Sequence, residues 1–389
     1  SSVILPCKFA LSPVRIVSTS SVPAVAVSFS SGLAFIPKNP KAEVKNVCTQ
    51  STAFSPNASS IVGPKEMQGP LANEFDMHSD DIFFGEKTFE KAESRMMNNC
   101  INNLFTKTGM TPEKIDYIFA GDLLNQCMAS GFCIRELDIP FFGVYGACST
   151  FVESLILASS FIDSEYASKA IAATSSHFCS SERQFRMPLE HGNQKSPTAQ
   201  CTVTASGCAL VVPKDYKDTT GAYATYATPG KIIDLGIKDG MNMGAAMAPA
   251  AFNTIMTHLE DTGRNADYYD AIITGDLGVL GSDILVDLFK KENIDISLIH
   301  KDCGKLIYDD ATQDTHCGGS GCGCMASVFS GYFYKLLKQG KLNKVLVVAT
   351  GALMSTQSSL QGDSIPGIAH AISIAVSYTH LRAHETVLD

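Results

Sequence analysis

The chain has 389 residues, a length typical of two domains or two fused halves. Its content of 45% hydrophobic and 18% charged residues is ordinary for a globular protein with a large core. The formal net charge of -9 argues against a broad nucleic-acid surface, because neutralising phosphates requires clustered lysine and arginine. We therefore expect no nucleic-acid partner.

The thirteen cysteines indicate buried, reduced thiols rather than disulfides, because most lie in apolar or glycine-rich segments and their number is odd. The spacing of Cys317, Cys322 and Cys324 is not a standard zinc spacing, so we expect no metal and no cofactor. No apolar run approaches the roughly 18 residues that span a bilayer. Residues 1–36 lack the compact apolar core of a signal peptide.

The first half of the chain alternates predicted helices and strands. Residues 86–105 have helical spacing, with Phe89, Met96 and Leu104 on or near one face. The other predicted elements of this half are, in chain order, a strand at 117–120, a helix at 126–137, a strand at 141–145, a helix at 151–161, and strands at 170–175 and 202–212.

The second half repeats this order. Its predicted elements are a helix at 246–259, a strand at 271–274, a helix at 281–291, a turn-rich segment at 306–315, a helix at 326–337 and a strand at 345–351. Strands that alternate with helices predict a mostly parallel sheet covered on both faces. Two such halves predict an α/β fold, a duplicated α-β-α-β-α layered sandwich with a shared central helical layer.

Two repeated segments indicate an internal duplication. Gly146-Ala147-Cys148-Ser149-Thr150 corresponds to 321–325, and Cys148 and Cys324 are 176 positions apart. Upstream, Gly121-Asp122 recurs as Gly275-Asp276 with an offset of 154. A cysteine at a helix start is chemically informative, because a helix N-terminus lowers a thiol pKa and stabilises anions.

A longer series of motifs runs through both halves. The motifs are Gly63-Pro64-Lys65-Glu66, Ala120-Gly121-Asp122-Leu123-Leu124, Gly146-Ala147-Cys148-Ser149-Thr150, Ala173-Thr174-Ser175-Ser176-His177, Glu182-Arg183-Gln184-Phe185-Arg186, Met247-Ala248-Pro249, Thr274-Gly275-Asp276-Leu277, Asp302-Cys303-Gly304, Gly318-Gly319-Ser320-Gly321-Cys322 and Ala349-Thr350-Gly351. Together they resemble the stage V sporulation protein AD family of spore-forming Firmicutes, within the thiolase superfold. The resemblance implies an N-terminal thiolase-like half at 57–215 and a C-terminal half at 216–374. Residues 1–56 and 375–389 do not match and are expected to be non-native.

The resemblance also implies a function. The family binds dipicolinic acid, free or as its calcium chelate, and acts with the other proteins of its operon at the spore inner membrane. It serves uptake during sporulation and release during germination. The chain is then expected to be a peripheral protein of the forespore inner membrane. Proteins of this superfold dimerise, which implies a homodimer through the strand at 170–175.

Cys148 stands where the superfold keeps an acyl-accepting nucleophile. Catalysis also requires a base and donors for the oxyanion. Ketoacyl synthases of this fold use a histidine and an asparagine, where this chain has Asp276 and Gly319-Ser320. We therefore expect a binding protein without catalytic activity. An active acyltransferase that uses Cys148 is the alternative, and a purely structural subunit of the membrane complex is a third hypothesis.

The candidate ligand-binding residues follow from the chemistry of a dicarboxylate. An arginine can grip a carboxylate with two hydrogen bonds, and backbone N–H groups at a helix start can cradle one. The candidates are Cys148, His177, Arg183, Arg186, Gly319, Ser320 and Gly321. For His177 a structural role is as plausible as binding, and for His370 a hydrogen-bonded core role is favoured. Asp122 and Asp276 are interpreted as turn or cap residues.

Overall fold

The computed structural model describes residues 47–48, 52–185, 195–216 and 221–376. Its strands are β1 (Val47–Cys48), β2 (Thr52–Val62), β3 (Met77–His78), β4 (Tyr117–Gly121), β5 (Phe141–Gly143), β6 (Ala170–Ser176), β7 (Cys201–Thr202), β8 (Ala205–Pro213), β9 (Ala222–Thr228), β10 (Ala271–Thr274), β11 (His300–Asp302), β12 (Gly319–Ser320), β13 (Lys344–Ala352) and β14 (Gly367–Val376).

The helices lie between these strands, as the periodicity predicted. They are α1 (Phe89–Thr108), α2 (Met128–Arg135), α3 (Thr150–Asp163), α4 (Phe178–Phe185), α5 (Met243–Thr262), α6 (Gly278–Lys291), α7 (Cys303–Ile307), α8 (Asp310–Gln313), α9 (Cys322–Val328), α10 (Tyr334–Lys338) and α11 (Thr356–Gln361). A π-helical turn (Phe329–Phe333) joins α9 to α10. None of the described helices is long and apolar enough to cross a bilayer.

The two halves have the same sheet topology. The strand order is β5-β4-β6-β8-β2 in the first half and β11-β10-β13-β14-β9 in the second. In each set four strands point the same way, and only β8 or β14 runs antiparallel to its neighbours. The sets meet edge to edge at β2 and β9. The expected duplication and mostly parallel strand direction are therefore confirmed.

Alternating side chains on the central strands divide the core into layers. In β6, Ala172 faces a cluster shared with α3 and α9, while Ile171 faces a cluster with α1 and α2. In β13, Val347 faces the shared cluster and Val348 faces α5 and α6. This period-2 alternation places α3 and α9 between the two sheets and gives the predicted order of α-β-α-β-α layers.

Two expectations require correction. Strand β2 begins at Thr52 and crosses the boundary predicted at residue 56, so the folded unit starts earlier than the motifs indicated. Strand β6, predicted at 170–175 as the dimer strand, pairs with β4 on one side and β8 on the other. All seven of its residues are buried, so β6 has no free edge.

The candidate Arg186 and the segment 377–389 lie outside the described residues.

Candidate functional site

A tight turn before α3 positions Cys148. The Gly146 carbonyl accepts hydrogen bonds from the Ser149 backbone N at 3.1 Å and from its Oγ at 2.6 Å. Ala147 adopts φ 52°, a left-handed conformation that is uncommon outside glycine. The second half closes over this turn, because a Cβ on Gly351 of β13 would lie 2.3 Å from the Gly146 carbonyl oxygen. Cys148 is therefore held just ahead of the helix and is only 6% exposed.

A second turn begins α9. Gly321 has φ 111°, and a Cβ there would lie 2.6 Å from the Ser176 Oγ, so this position requires glycine. The preceding strand β12 pairs in parallel with β7, which places Ser320 beside Thr202. The Gly319 carbonyl accepts a hydrogen bond from Gln200 Nε2 at 3.0 Å. Gly319 and Gly321 thus form the framework of the turn, and Ser320 presents its side chain.

The two turns line one small pocket with a cavity volume of about 30 Å³. Both Cys148 and Ser320 line it, as the pseudo-equivalence of the two helix starts predicted. The lining consists of one thiol, three hydroxyl side chains, tyrosine and apolar groups: Leu123, Tyr145, Ala147, Cys148, Ser181, Phe185, Thr202, Met243, Ser320, Ala352 and Met354. No lysine, arginine or histidine contributes to this lining among the described residues.

Asp276 lies beside Cys148 and is fully buried. Its carboxylate accepts hydrogen bonds from Gly321 N at 3.0 Å, from Thr350 Oγ1 at 2.7 Å and from the Cys148 thiol. Burial raises the pKa of Asp276 to about 7, although these hydrogen bonds oppose the shift. Asp276 is therefore a site residue and not a cap of its own turn, which corrects the sequence interpretation.

The Cys148 thiol is held in its neutral form. Burial is the largest cause that raises its pKa well above the ordinary value, and the charge of Asp276, the neighbouring Cys322 thiol and the hydrogen bond to Asp276 raise it further. The backbone N–H of Gly321 lowers the pKa but does not overcome these effects. The expected activation of the thiol by a helix start is therefore outweighed by burial and by a neighbouring carboxylate.

Asp122, the counterpart of Asp276, is a cap. It accepts hydrogen bonds from Leu124 N at 2.8 Å, Ser130 N at 2.8 Å and Ser130 Oγ at 2.7 Å. In the second half a different residue has this role, because Asp302 accepts from Leu277 N at 2.9 Å and Gly278 N at 3.0 Å. The predicted cap role is thus confirmed for Asp122 alone.

The predicted donors His177 and Arg183 lie away from the pocket lining. His177 accepts from Cys179 N at 3.2 Å with Nδ1 and bonds the Ile82 carbonyl at 2.9 Å with Nε2, and burial lowers its pKa. The Arg183 guanidinium pairs with Glu90 and lies 5.8 Å from the centre of the Phe89 ring. Both side chains already have partners within the first half.

His370 is a core residue, as predicted. Its Nδ1 accepts a hydrogen bond from Gly230 N at 3.1 Å, and burial lowers its pKa to about 4. The cysteines in the described ranges are free thiols. Within those same ranges no group of three or more potential ligands could hold a metal ion.

Sequence reasoning missed several pocket residues. Ser181 and Phe185 come from α4, Met243 is the first residue of α5, and Met354 lies in the loop after β13. No local pattern marks these residues, because they meet only when α4, the start of α5 and this loop pack over the two turns. The motif Glu182-Arg183-Gln184-Phe185 was a usable signal, although its aromatic residue, and not its arginine, reaches the pocket.

Two five-stranded sets around buried helices, with a cysteine at the mouth of the central layer, define a thiolase-like protein. Solved structures share this fold: a variant of OleA from Xanthomonas campestris has a TM-score of 0.51 at 12% identity, covering 84% of this chain and 100% of that one. A 3-oxoacyl-(acyl carrier protein) synthase III from Xanthomonas oryzae has a TM-score of 0.50 at 11% identity, with 84% and 100% coverage. These likenesses show the fold alone.

The sequence comparisons identify the family. The family model for stage V sporulation protein AD matches residues 45–375. Stage V sporulation protein AD of Bacillus subtilis (strain 168) is 45% identical over 321 residues, which cover 82% of this chain and 93% of that protein. The chain belongs to the stage V sporulation protein AD family and is a sporulation protein with a thiolase-like fold. The match begins at residue 45 and so includes residues 45–56, which precede the predicted N-terminal half.

Proposed function

We propose that the chain is a non-catalytic thiolase-fold protein that binds dipicolinic acid, free or as its calcium chelate. In this proposal it acts at the inner membrane of the spore in uptake during sporulation and release during germination. The observation that carries the proposal is the state of Cys148, a pocket thiol held neutral beside Asp276. In this proposal the pocket still contains the cysteine, while burial and Asp276 prevent it from forming the thiolate that a nucleophile requires.

The argument against catalysis is electrostatic. A thiol attacks a thioester as thiolate, and forming the thiolate beside an ionised carboxylate places two negative charges in contact within a buried site. The Gly321 N–H, a natural donor for an oxyanion, is already bonded to Asp276 at 3.0 Å. The described site therefore opposes formation of the thiolate and leaves the Gly321 N–H engaged with Asp276.

The pocket lining suits a small planar ligand, and the cavity of about 30 Å³ would have to widen to admit it. Tyr145 and Phe185 provide aromatic faces, and Met243 and Met354 provide deformable apolar walls. Ser320 supplies a hydroxyl group at the second helix start. Pyridine-2,6-dicarboxylate combines a flat ring with two hydrogen-bond-accepting ends, which matches an apolar slot with hydroxyl donors.

The proposal includes partners. The other proteins of the same operon would hold the chain at the membrane, consistent with the finding that no described helix can span a bilayer. A homodimer would form at β5, which pairs only with β4 and leaves its other edge unpaired among the described strands. Phe142 of β5 is 44% exposed and would be covered there.

Calorimetric titration with dipicolinate, with and without calcium, tests the proposal. Bulky substitutions at the two turns, Cys148→Trp and Ser320→Leu, should block the pocket and weaken binding at least about tenfold without unfolding the chain. Leu298→Ala, at an 86% exposed position, is the control and should bind as the parent does. If the folded variants bind dipicolinate as tightly as the parent, the ligand site is elsewhere.

One observation favours a second candidate, an active acyltransferase. Asp276 accepts a hydrogen bond from the Cys148 thiol and titrates near neutral pH, so it could serve as the base that the missing histidine supplies in the synthases. Turnover of acyl-CoA or acyl-carrier thioesters that disappears in Cys148→Ala would establish this candidate. The proposed binding function predicts no such turnover.

A further inference from the structure

Ser181 is a buried hydroxyl at the pocket. It lies on α4, one turn after His177, and its backbone N donates to the His177 carbonyl at 3.1 Å. Its side chain is 2% exposed, and its Oγ has no hydrogen-bond partner among the described residues. Ser181 also lines the pocket, so its unpartnered hydroxyl group belongs to the pocket wall. Leaving a buried polar group without a partner costs free energy, so such a group points to a missing acceptor or donor.

Two other polar groups of the lining differ from Ser181. Thr202 donates its Oγ1 proton to the buried carboxylate of Glu182 at 3.0 Å. The Cys148 thiol donates to Asp276. Both protons are therefore committed to acids of the protein, whereas the Ser181 proton is available to a ligand.

The charge of the surroundings determines what kind of donor can serve a carboxylate here. The described lining contains no cationic side chain, and the nearest acids, Asp276 and Glu182, lie behind Cys148 and Thr202. A neutral hydroxyl is the remaining way to recognise a carboxylate at this wall. Hydroxyl donors to a charged acceptor make short and strong hydrogen bonds.

We propose that Ser181 is a ligand-binding residue whose hydroxyl donates to one carboxylate of the bound dicarboxylate, an inference that rests on the function proposed above. Ser320 lines the same pocket from β12, and in this proposal it donates to the other carboxylate. Specificity for two carboxylates then comes from two hydroxyl groups on separate elements, α4 and β12.

The test is calorimetric titration of Ser181→Ala with dipicolinate and with pyridine-2-carboxylate, which lacks one carboxylate. Ser181→Ala should weaken dipicolinate binding about tenfold, because one hydrogen bond to a charged group is lost. The loss should be at least about threefold smaller for the monocarboxylate, which can use the Ser320 end instead. Ser282→Ala is the matched control, since the Ser282 Oγ is also buried and unpartnered in the described part of the chain but lies on α6, outside the pocket lining.

The outcomes separate this inference from the proposed function. A parent protein that does not bind dipicolinate contradicts the proposed function. A parent that binds, together with a folded Ser181→Ala variant of equal affinity, contradicts the role of Ser181 alone. Equal losses for both ligands would indicate a distorted pocket and also count against it. If Ser181→Ala fails to fold, Ser181→Cys, which keeps the size and weakens the donor, must show the same selective loss.

Discussion

Asp122 and Asp276 occupy equivalent positions in the two halves, yet their carboxylates bond different parts of the chain. Asp122 bonds groups no more than eight residues away, Leu124 N and the N and Oγ of Ser130. Asp276 bonds groups from three distant segments, Gly321 N, Thr350 Oγ1 and the Cys148 thiol. The first aspartate organises a local turn, and the second joins the elements that meet at the pocket.

The difference shows how a duplicated fold acquires a single site. In the second half Asp302 caps the turn that begins α6, which is the task of Asp122 at the start of α2. This replacement leaves Asp276 available to accept from the Cys148 thiol behind the pocket wall. One half therefore keeps the aspartate as a structural group, while the other half places the same residue type against Cys148.

The largest expected effect is the loss of folding stability when Asp122, the capping aspartate, is replaced. Asp122→Ala leaves two buried N–H groups and the Ser130 hydroxyl without their acceptor, so the free energy of unfolding should fall by about 3 kcal/mol or more. Dipicolinate affinity of the folded fraction should not change. Urea unfolding followed by circular dichroism measures the first quantity, with Asp287→Ala, an exposed aspartate, as the control. A variant as stable as the parent would contradict the cap role.

The second prediction concerns the pH dependence of stability. The pKa of Asp276 is about 7 in the folded state and near its ordinary value of about 4 when unfolded. Protonated Asp276 therefore contributes to the free energy of unfolding, and this contribution is fully present below the unfolded pKa. It is lost as pH rises through 7, by about 3 kcal/mol between pH 5 and pH 8. Asp276→Asn should flatten the slope of unfolding free energy against pH by this amount. The same slope in parent and variant would show that Asp276 is not protonated in the folded protein.

A third prediction links the same charge to the ligand. Dipicolinate is a dianion at neutral pH, and ionised Asp276 beneath the pocket repels it. Affinity should therefore fall about tenfold as pH rises from 6 to 8, and Asp276→Asn should abolish most of this dependence. Titrations at three pH values in each protein measure the effect. An affinity that rises with pH in the parent would mean that Asp276 does not face the ligand.

The smallest effect is on thiol reactivity. Removing the negative charge in Asp276→Asn should lower the pKa of Cys148 and speed its alkylation by iodoacetamide several-fold at pH 8. Peptide mass spectrometry resolves the cysteines. Cys179 is an internal control, because burial raises its pKa to about 11 and Arg183 and Glu182, not Asp276, are the charges that act on it. Unchanged alkylation of Cys148 would argue against its bond to Asp276.

The sequence by itself determined the architecture, because the signals for it are local and repeated. Apolar periodicity placed the strand at 271–274 and put those ending near Gly121 and Ser176 within a residue or two of their observed bounds. The fixed offsets between the halves revealed the duplication and predicted that the turns at Cys148 and Ser320 share a pocket. The glycine at 321 had to be glycine for a backbone reason that any sequence containing this turn must satisfy.

Only the tertiary structure decided the chemistry of the site. The same Gly-Asp pattern is a cap at residue 122 and a pocket group at residue 276, because partners 45 and 74 positions away decide which donors reach the carboxylate. The state of the Cys148 thiol follows from burial and from Asp276, which outweigh the helix start that the sequence shows. Ser181 carries no motif of its own. We propose its hydroxyl group as a binding group because packing leaves the Oγ buried and unpartnered among the described residues, in the wall of the pocket.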